Sequence, residues 1–352
     1  MKHIFLSLVT TTILATAAAT GAPPDTLDIY FIDVEGGQST LLVTPAGQSL
    51  LIDAGFPGTG TFQSRPGDAV SPRDPVRIAE AARQAGLSRI DYLLVTHFHG
   101  DHFGGVMELA QRLPIGTFID HGDVPAEAEQ NVPGTLALFQ DYQAARAKGR
   151  HLTPNVGDRL PVSGVDAVVV SSGGRTIAEP LTGAGGRNPA CGNSARAAQE
   201  IVENPRSTGV LIQFGRFRFL DVGDLTGAPL FDLACPRDLI GPVDVYLVAH
   251  HGGADAADPA TLAAFKPRIA VLDNGARKGA GPEMLAMLRD VAGVDSWQLH
   301  RSVLDGAANA PDGRLANLDE TTAHWIKVSA KNDGSFRVTN GRTGQNVSYE
   351  AR

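Results

Sequence analysis

Short apolar runs separated by turn signals dominate the start of the chain. Residues 27–34 alternate apolar and polar side chains, and residues 39–44 and 49–53 continue the pattern after glycine and proline turn signals. This spacing predicts three strands joined by hairpin turns. Residues 56–75 are rich in Gly, Pro, Ser and Arg and indicate a surface loop.

Helical and strand patterns alternate after this loop. Apolar spacing predicts helices over 76–86, 106–113 and 134–148 and strands over 90–96 and 115–120. The chain therefore passes from a β-meander into an alternation of strands and helices.

The second half of the chain is also rich in strand patterns. Strands are predicted over 157–160, 165–170, 208–214, 216–222, 243–249, 269–272 and 296–299. Helices are predicted over 194–203, 258–265 and 281–291, and a final hairpin over 324–329 and 335–339. Two sheets facing each other with helices outside would satisfy this pattern, and no break in composition demands two domains.

The N-terminus has the features of an export signal. Met1-Lys2-His3 is a short basic start, and residues 4–20 are apolar or small and carry no charge. We predict a signal peptide over 1–22 and a mature domain over 25–352 that is exported to the periplasm or secreted. A membrane anchor is the alternative, but the stretch is short and rich in Thr and Ala. We expect no stable membrane partner after cleavage.

Composition and charge narrow the class of function. Apolar residues make up 43% of the chain and charged residues 19%, which is typical of a soluble globular protein. The formal net charge is -8, so the chain lacks the broad basic field of sequence-independent nucleic-acid binders. If the substrate is a phosphate ester, bound metal must supply much of the attraction.

The cysteines form no local metal or redox motif. Cys191 and Cys235 are the two cysteines of the chain, and neither belongs to a CxxC pair. In an oxidising compartment they can form one disulfide; otherwise they are two free thiols. The sequence leaves both arrangements open.

The run His97-Phe98-His99-Gly100-Asp101-His102 is the strongest chemical signal. It follows the predicted strand 90–96 directly, and imidazole and carboxylate are the ligands that zinc and similar ions prefer. His97 and His99 are two residues apart, so they can point the same way from an extended backbone. Gly100 lets the chain turn so that Asp101 and His102 face a second position.

Further donors lie at the ends of distant predicted strands. Asp53 closes the third strand, Asp224 follows the strand 216–222, and His250 and His251 close the strand 243–249. Donors at the ends of several strands converge on one rim in sheet-based enzymes. The candidate metal ligands are His97, His99, Asp101, His102, Asp224 and His250, and the candidate catalytic residues are Asp101 and His251.

These motifs resemble the metallo-β-lactamase superfamily. The HxHxDH motif is complete at 97–102, Asp53-Ala54-Gly55 resembles the first motif, and Asp224 resembles the aspartate that bridges two metals there. His250 or His251 corresponds to the last histidine. The resemblance implies an αββα sandwich that binds one or two Zn²⁺ ions, with Mn²⁺ as an alternative.

Within this superfamily, the chain is most similar to the soluble domain of DNA-uptake competence proteins. Residues 31–39 resemble their opening strand and turn, and His250-His251-Gly252-Gly253 resembles their double-histidine motif. This resemblance implies a phosphodiester substrate.

One expected histidine is missing. Many members of the superfamily place a metal-binding histidine just before the strand that leads to Asp224, where this chain has Asn204. One metal position is therefore short of a ligand, or His121 approaches it from the end of its own strand. The alternative for His121 is a loop histidine.

Several other residues are weaker candidates. Asp53 is interpreted as a carboxylate that orients a ligand histidine, with a turn-forming role as the alternative. Gln38 either lines the site or simply forms a turn, and Asn274 and His300 end predicted strands and could bind substrate. Arg277 and Lys278 could hold an anion, although a solvated loop is the preferred interpretation.

We therefore expect metal-assisted hydrolysis. One or two ions would lower the pKa of a water molecule to about 7, and Asp101 would hold an ion and orient that water. The expected substrate is a phosphodiester, either a small molecule or a nucleic acid. The alternatives are a lactone or β-lactam hydrolase, or a metal-binding protein of the same fold without turnover. The pattern specifies no oligomeric state.

Overall fold

The computed structural model of the protein describes residues 25–60, 63, 71–194, 196, 202–291 and 293–352. The predicted signal peptide lies outside the described residues, as do most of the predicted helix over 194–203 and part of the predicted loop over 56–75. Within the described part of the chain, no helix is long and apolar enough to cross a bilayer.

The strands are numbered β1 to β17 in chain order over the described residues. They are Leu27–Phe31, Thr40–Val43, Ser49–Ile52, Ile90–Leu94, Ile115–Ile119, Arg150–Leu152, Asp166–Ser172, Arg175–Thr176, Gly209–Phe214, Phe217–Asp221, Val245–Leu247, Ile269–Leu272, Asp295–His300, Leu315–Asn317, Ile326–Ala330, Phe336–Asn340 and Asn346–Tyr349.

The α-helices of the described residues are numbered α1 to α8. They are Arg73–Gln84, Gly100–Phe103, Val106–Arg112, Glu127–Asn131, Thr135–Arg146, Gly227–Ala234, Pro259–Phe265 and Pro282–Asp290. Short 3-10 turns occur at Pro189–Asn193, Asn204–Arg206, Ala249–Gly252, Ala254–Ala256 and Asp312–Arg314.

The strands form two mixed sheets. The first has nine strands in the order β17-β16-β15-β1-β2-β3-β4-β5-β6, and the second has eight in the order β14-β13-β12-β11-β10-β9-β7-β8. Strands β3 to β6 run parallel to one another, and so do β10 to β14. Each sheet therefore has a parallel half whose carboxyl ends lie along one edge.

The two sheets pack face to face through an apolar core. Phe31 of β1 meets Phe219 of β10 edge-on with ring centroids 5.8 Å apart, and Trp297 of β13 is fully buried in the same core. Each large apolar side chain buried in this way contributes about 1.5–3 kcal/mol relative to its exposed state. The apolar residues that predicted the strands alternate along the sequence because every second side chain of a strand faces this core.

Helices cover the outer face of each sheet. Ile78 of α1, Leu109 of α3 and Tyr142 of α5 pack on the first sheet, while Leu230 of α6 and Phe265 of α7 pack on the second. The layers are thus helix, sheet, sheet and helix, which confirms the predicted αββα sandwich.

The structure departs from the predicted elements in a few places. The predicted strand over 157–160 is wrong, because these residues contribute only an isolated bridge from Arg159 to Val168. Helix α6 and strand β14 are not among the predictions, since α6 begins with Gly-Ala-Pro and β14 has three residues. The predicted C-terminal hairpin is present as β15 and β16, and β17 adds a third strand to it.

A disulfide joins Cys191 to Cys235, which resolves the two arrangements that the sequence left open. Cys191 lies in the 3-10 turn Pro189–Asn193, and Cys235 directly follows α6. The bond links two segments that are 44 residues apart in sequence. It therefore fixes the insert between β8 and β9 to the outer helices of the second sheet.

We predict that the disulfide makes a measurable contribution to stability. Replacing both residues (Cys191→Ala with Cys235→Ala) should lower the free energy of unfolding by about 3–4 kcal/mol, because a long loop of the unfolded chain is no longer closed. Urea unfolding of the two proteins measures the difference. The wild-type protein with reductant should match the double variant, and equal stability of all three samples would contradict the prediction.

Candidate metal centre

The polar residues of the sequence motifs collect where parallel strands of both sheets end. The strand ends supply Asp53 after β3, His97 to His102 after β4, Asp224 after β10, His251 after β11 and Asp273 after β12. Ligands of α/β sheets typically lie at the carboxyl ends of the strands, because loops there are free to carry functional side chains. The two sheets together therefore build one rim.

Two groups of donor atoms lie at this rim. In each group, one atom per residue lies within 4.8 Å of the others. The histidine group is His97, His99 and Asp224. The mixed group is Asp101, His102, Asp224 and His251. Five of the six predicted metal ligands and the predicted catalytic residue His251 thus come together.

Asp224 belongs to both groups. Its Oδ2 lies 3.1 Å from His102 Nε2 and 3.9 Å from His97 Nε2, and its Oδ1 lies 3.3 Å from His251 Nε2. One carboxylate therefore faces imidazoles from both sheets. This is the arrangement that a carboxylate shared between two metal ions requires.

The donor set fits divalent metal ions. His97 Nε2, His102 Nε2 and Asp224 Oδ1 are buried and have no hydrogen-bond partner among the described residues. Leaving a buried polar atom without a partner costs about 1–3 kcal/mol, so a bound ion would supply what the protein does not. Imidazole nitrogen and carboxylate oxygen suit zinc and neighbouring transition metals.

The pKa values of the histidine group favour neutral imidazoles. Burial is the main reason why the pKa of His97 lies well below 6.5, and the neighbouring His102 and His99 lower it further. Burial also lowers the pKa of His99. A metal ion binds the neutral form of histidine, so both side chains are suited to coordination at neutral pH.

The carboxylates of the mixed group are held in their charged form. Burial alone would raise the pKa of Asp224, but His102 and His251 more than offset it, and the pKa lies well below 3.8. Burial would also raise the pKa of Asp101, but Lys278 and His102 reverse the shift. Both groups are therefore available as anionic ligands.

Asp53 orients His102 from behind. Its Oδ2 lies 2.7 Å from His102 Nδ1, and the same carboxylate accepts hydrogen bonds from the backbone N–H and the hydroxyl of Thr96. The ring is thereby fixed with Nε2 toward Asp224. This geometry agrees with the interpretation of Asp53 as a carboxylate that positions a ligand histidine.

A second carboxylate lies beside His251, although it makes no hydrogen bond to the ring. Asp273 Oδ1 lies 3.2 Å from His251 Nδ1, and both side chains are almost fully buried. The sequence analysis did not single out Asp273. Its position directly after an apolar strand, one residue before Asn274, is the signal that could have identified it.

The backbone at the double histidine is unusual. His250 and His251 both have positive φ angles, 50° and 53°, and Gly252 follows with 78°. Each non-glycine residue in this region costs about 1–3 kcal/mol and is most often found at functional sites. The turn sends the two imidazole rings in different directions, so only one of them enters the mixed group.

His250 lies beside the donor groups rather than inside either one. Its Nδ1 lies 2.8 Å from the Asp255 carboxylate, while its Nε2 lies 3.7 Å from Asp224 Oδ2 and 3.4 Å from Asn204 Nδ2. Asn204 is the residue that the sequence analysis compares with the missing histidine, and its side chain lies beside His250.

His121 belongs to neither donor group. Its Nε2 lies 3.0 Å from Glu203 Oε2, and its ring meets Phe98 edge-on at 4.7 Å. Glu203 also accepts a hydrogen bond of 2.8 Å from the Phe98 N–H. His121 and Glu203 thus brace the segment between His97 and His99 instead of supplying a ligand, and the sequence analysis missed Glu203.

Gln38 connects the two sheets. Its Nε2 donates to both carboxylate oxygens of Asp221 at 3.0 Å, and its backbone N–H donates to the Asp101 carbonyl at 3.1 Å. Burial raises the pKa of Asp221 to about 7. The neighbouring Gly37 has no room for a side chain, since a Cβ there would lie 2.4 Å from the Asp101 carbonyl oxygen.

Asn274 and His300 are fully buried at the strand ends. Asn274 Nδ2 donates to the carbonyls of Gly275 and His300, and His300 Nε2 lies 2.7 Å from Asp33 Oδ1. These contacts hold the ends of β12 and β13 together and connect them to β1. The structure thus places both residues in supporting hydrogen bonds.

Lys278 enters the site, whereas Arg277 does not. The Nζ of Lys278 contacts Asp101 Oδ2 and lies 3.3 Å from His251 Nε2. Arg277 is exposed. The preferred sequence interpretation of a solvated loop agrees with the exposure of both side chains, and the structure adds that the Lys278 ammonium reaches the mixed group.

The model of the Metallo-beta-lactamase superfamily matches residues 33–186, which include the HxHxDH motif. This match supports membership of that superfamily, and the chain has the metallo-β-lactamase fold. A comparison with curated proteins gives no match.

Several solved structures are similar to this chain. A variant of the CmlA beta-hydroxylase is 16% identical, with coverage of 79% of this chain and 53% of that one and a TM-score of 0.44. The metallo-beta-lactamase fold protein YhfI from Bacillus subtilis is 11% identical, with coverages of 78% and 96% and a TM-score of 0.45. A diphosphatase from the PhnP family is 12% identical, with coverages of 77% and 94% and a TM-score of 0.39. The chain spans about half the length of the first of these, at 53%.

We predict that Glu203 stabilises the loop that carries the first two histidines. Glu203→Ala should lower the free energy of unfolding by about 3 kcal/mol, because it leaves His121 and the Phe98 N–H buried without a partner. Urea unfolding of the metal-free protein measures this change.

The pH dependence provides a check on this role. The pKa of Glu203 lies below 4.5: burial would raise it, but His121 more than offsets burial. Its stabilisation is thus present above pH 4.5 and is lost as the pH falls through the lowered pKa. Glu203→Gln retains an acceptor for the Phe98 N–H, so its free energy of unfolding should fall less than that of Glu203→Ala. An alanine variant as stable as the wild type at pH 7 would refute the role.

Proposed function

We propose that this protein is a metal-dependent hydrolase with two metal positions, acting on a phosphodiester or a related anionic ester. The observation that carries the proposal is the carboxylate of Asp224, whose Oδ2 lies 3.9 Å from His97 Nε2 of the histidine group and 3.1 Å from His102 Nε2 of the mixed group. Two-metal sites with a shared ligand are typical of phosphatases and nucleases, in which both the attacking and the leaving oxygen need stabilisation.

Each position has a defined set of ligands in this proposal. His97, His99 and Asp224 hold the first ion, and His250 Nε2, 3.7 Å from Asp224 Oδ2, is placed to complete this position in the absence of the missing histidine. The mixed group of Asp101, His102, Asp224 and His251 holds the second ion. His251 is therefore assigned as a ligand.

The protein residues prepare the reaction in three ways. When bound, a divalent ion lowers the pKa of water and stabilises negative charge on oxygen. Asp101 is 13% exposed at the open side of the rim, where its free carboxylate edge can orient the attacking water. Asp53 holds His102 in a fixed orientation through a hydrogen bond, so little reorganisation of this ring is needed during the reaction.

The choice of a phosphodiester rests on the charge of the site and on the motifs. Two divalent ions would supply local positive charge at the rim, which can attract an anionic group even though the whole chain is acidic. The similarity of residues 31–39 and of the double histidine to competence proteins supports the same substrate class. A small phosphodiester or a nucleic acid satisfies both observations.

A lactone or β-lactam remains the second candidate for the substrate. The same ions would polarise a carbonyl oxygen, so the metal groups alone serve either chemistry. The replacement of the expected histidine by Asn204 separates this site from the three-histidine arrangement of secreted β-lactamases. Retention of the fold without turnover is the third candidate.

We also propose that the protein works outside the cytoplasm. The disulfide between Cys191 and Cys235 supports this location, since disulfides persist in oxidising compartments. The apolar N-terminal stretch of the sequence supports it independently.

We predict that Asp224→Asn weakens both metal positions together. The variant should bind fewer ions and lose hydrolysis by at least about 10³-fold, because one side chain serves both donor groups. Elemental analysis after dialysis measures the ions bound, and circular dichroism verifies folding. His324→Gln is the control, since His324 lies just before β15, belongs to neither donor group and is bonded through its backbone to Asn317. Full ion binding by Asp224→Asn would refute the shared-ligand assignment.

A substrate panel tests the reaction class. We expect hydrolysis of bis-p-nitrophenyl phosphate or single-stranded DNA in the presence of zinc or manganese, with little turnover of a lactone or a cephalosporin. Removal of metal by a chelator should abolish the activity, and added metal should restore it. Turnover of the lactone or the cephalosporin alone would overturn the phosphodiester assignment. Bound metal with no turnover of any substrate would favour the non-enzymatic candidate.

A further inference from the structure

The loop after β12 carries a cation into the mixed group. Lys278 Nζ contacts Asp101 Oδ2 and lies 3.3 Å from His251 Nε2, so it meets two of the four donor residues there. No part of the proposed function uses this side chain. Its position therefore needs an explanation of its own.

The backbone of this loop is tied to the site. The Ala280 N–H donates to the His251 carbonyl at 2.8 Å, and the Gly275 N–H donates to the Lys278 carbonyl at 2.9 Å. Gly279 packs so closely that a Cβ would lie 2.3 Å from the His251 carbonyl oxygen. The loop thus holds the start of the Lys278 side chain at a fixed distance from His251.

The lysine and a metal ion need the same atoms. An ammonium group has three donors and no acceptor, so it pairs with the carboxylate oxygen Asp101 Oδ2 and lies beside His251 Nε2. These two atoms would bind an ion in the mixed group when the His251 ring is neutral. The ammonium and the ion also repel each other, so both cannot occupy this place together.

The side chain has a route out of the site. Lys278 is 43% exposed, and its Nζ lies 5.6 Å from the centre of the Phe56 ring at the rim. A lysine has a flexible four-carbon stem, so the ammonium can leave while the backbone stays fixed. The histidine group is different, because within the described part of the chain the polar contacts of Lys278 Nζ are to Asp101 and His251, and neither residue belongs to that group.

We propose that Lys278 is an internal cation that competes with the second metal ion for the mixed group. The proposal rests on the two metal positions of the proposed function. The histidine group then fills first, and the mixed group fills at a higher concentration of free metal, when the ion displaces the ammonium toward the rim. The charge of Asp101 remains compensated in both states, which avoids a buried, unpaired carboxylate.

Metal binding by the full mature chain tests this proposal directly. Metal-free wild type, Lys278→Met and Lys278→Gln are dialysed against buffered zinc, and bound zinc per chain is counted by elemental analysis. We expect two steps for the wild type. In both variants, the second step should move to at least about tenfold lower free zinc, since the competing charge is gone. The first step should move far less.

A matched control separates the local contact from general charge. Arg277→Met removes a cation from the neighbouring exposed position and should leave both steps where the wild type has them. An unchanged second step in folded Lys278 variants would overturn the competition while leaving the proposed hydrolase intact. If the second step in Arg277→Met shifts as far as it does in the Lys278 variants, the competition would also be overturned. Absence of bound zinc from every protein, the wild type included, would overturn the metal-dependent hydrolase itself.

Discussion

The carboxylate of Asp224 contacts histidines that follow strands of both sheets, and the rest of the site is arranged around these contacts. It follows β10 of the second sheet, yet it lies 3.1 Å from His102, which follows β4 of the first sheet. This contact requires that the two sheets pack with the carboxyl ends of their parallel strands at the same rim. The apolar core between the sheets, with Phe31 against Phe219, fixes that alignment.

Acidic side chains behind the histidines determine how the site is organised. Asp53, Asp273 and Glu203 come from three distant parts of the chain, and each of them contacts one imidazole. Burying a carboxylate is expensive unless it is paired, and each of these acids is paired with an imidazole. The hydrogen bond from Asp53 orients His102, whose Nε2 is left buried without a hydrogen-bond partner among the described residues.

Charge within the site differs from charge on the whole chain. The net charge is -8, and the residues around the donor groups include several carboxylates. The rim therefore depends on cations for its balance, whether metal ions or the ammonium of Lys278. In a half-buried site, such local charges outweigh the average charge of the surface, because water and salt screen them less. A substrate meets this local balance and not the acidity of the chain as a whole.

The sequence by itself determined the αββα architecture, the strand ends and the types of ligand. These features are local: apolar alternation marks strands, and the HxHxDH run places its donors within six residues. Tertiary structure alone decided that His251 enters the mixed group, that His121 pairs with Glu203, and that Cys191 joins Cys235. It also brought Lys278 to Asp101, 177 positions earlier in the chain. Such pairings depend on how the loops of two packed sheets converge. A local sequence pattern does not predict contacts between residues that are so far apart in the chain.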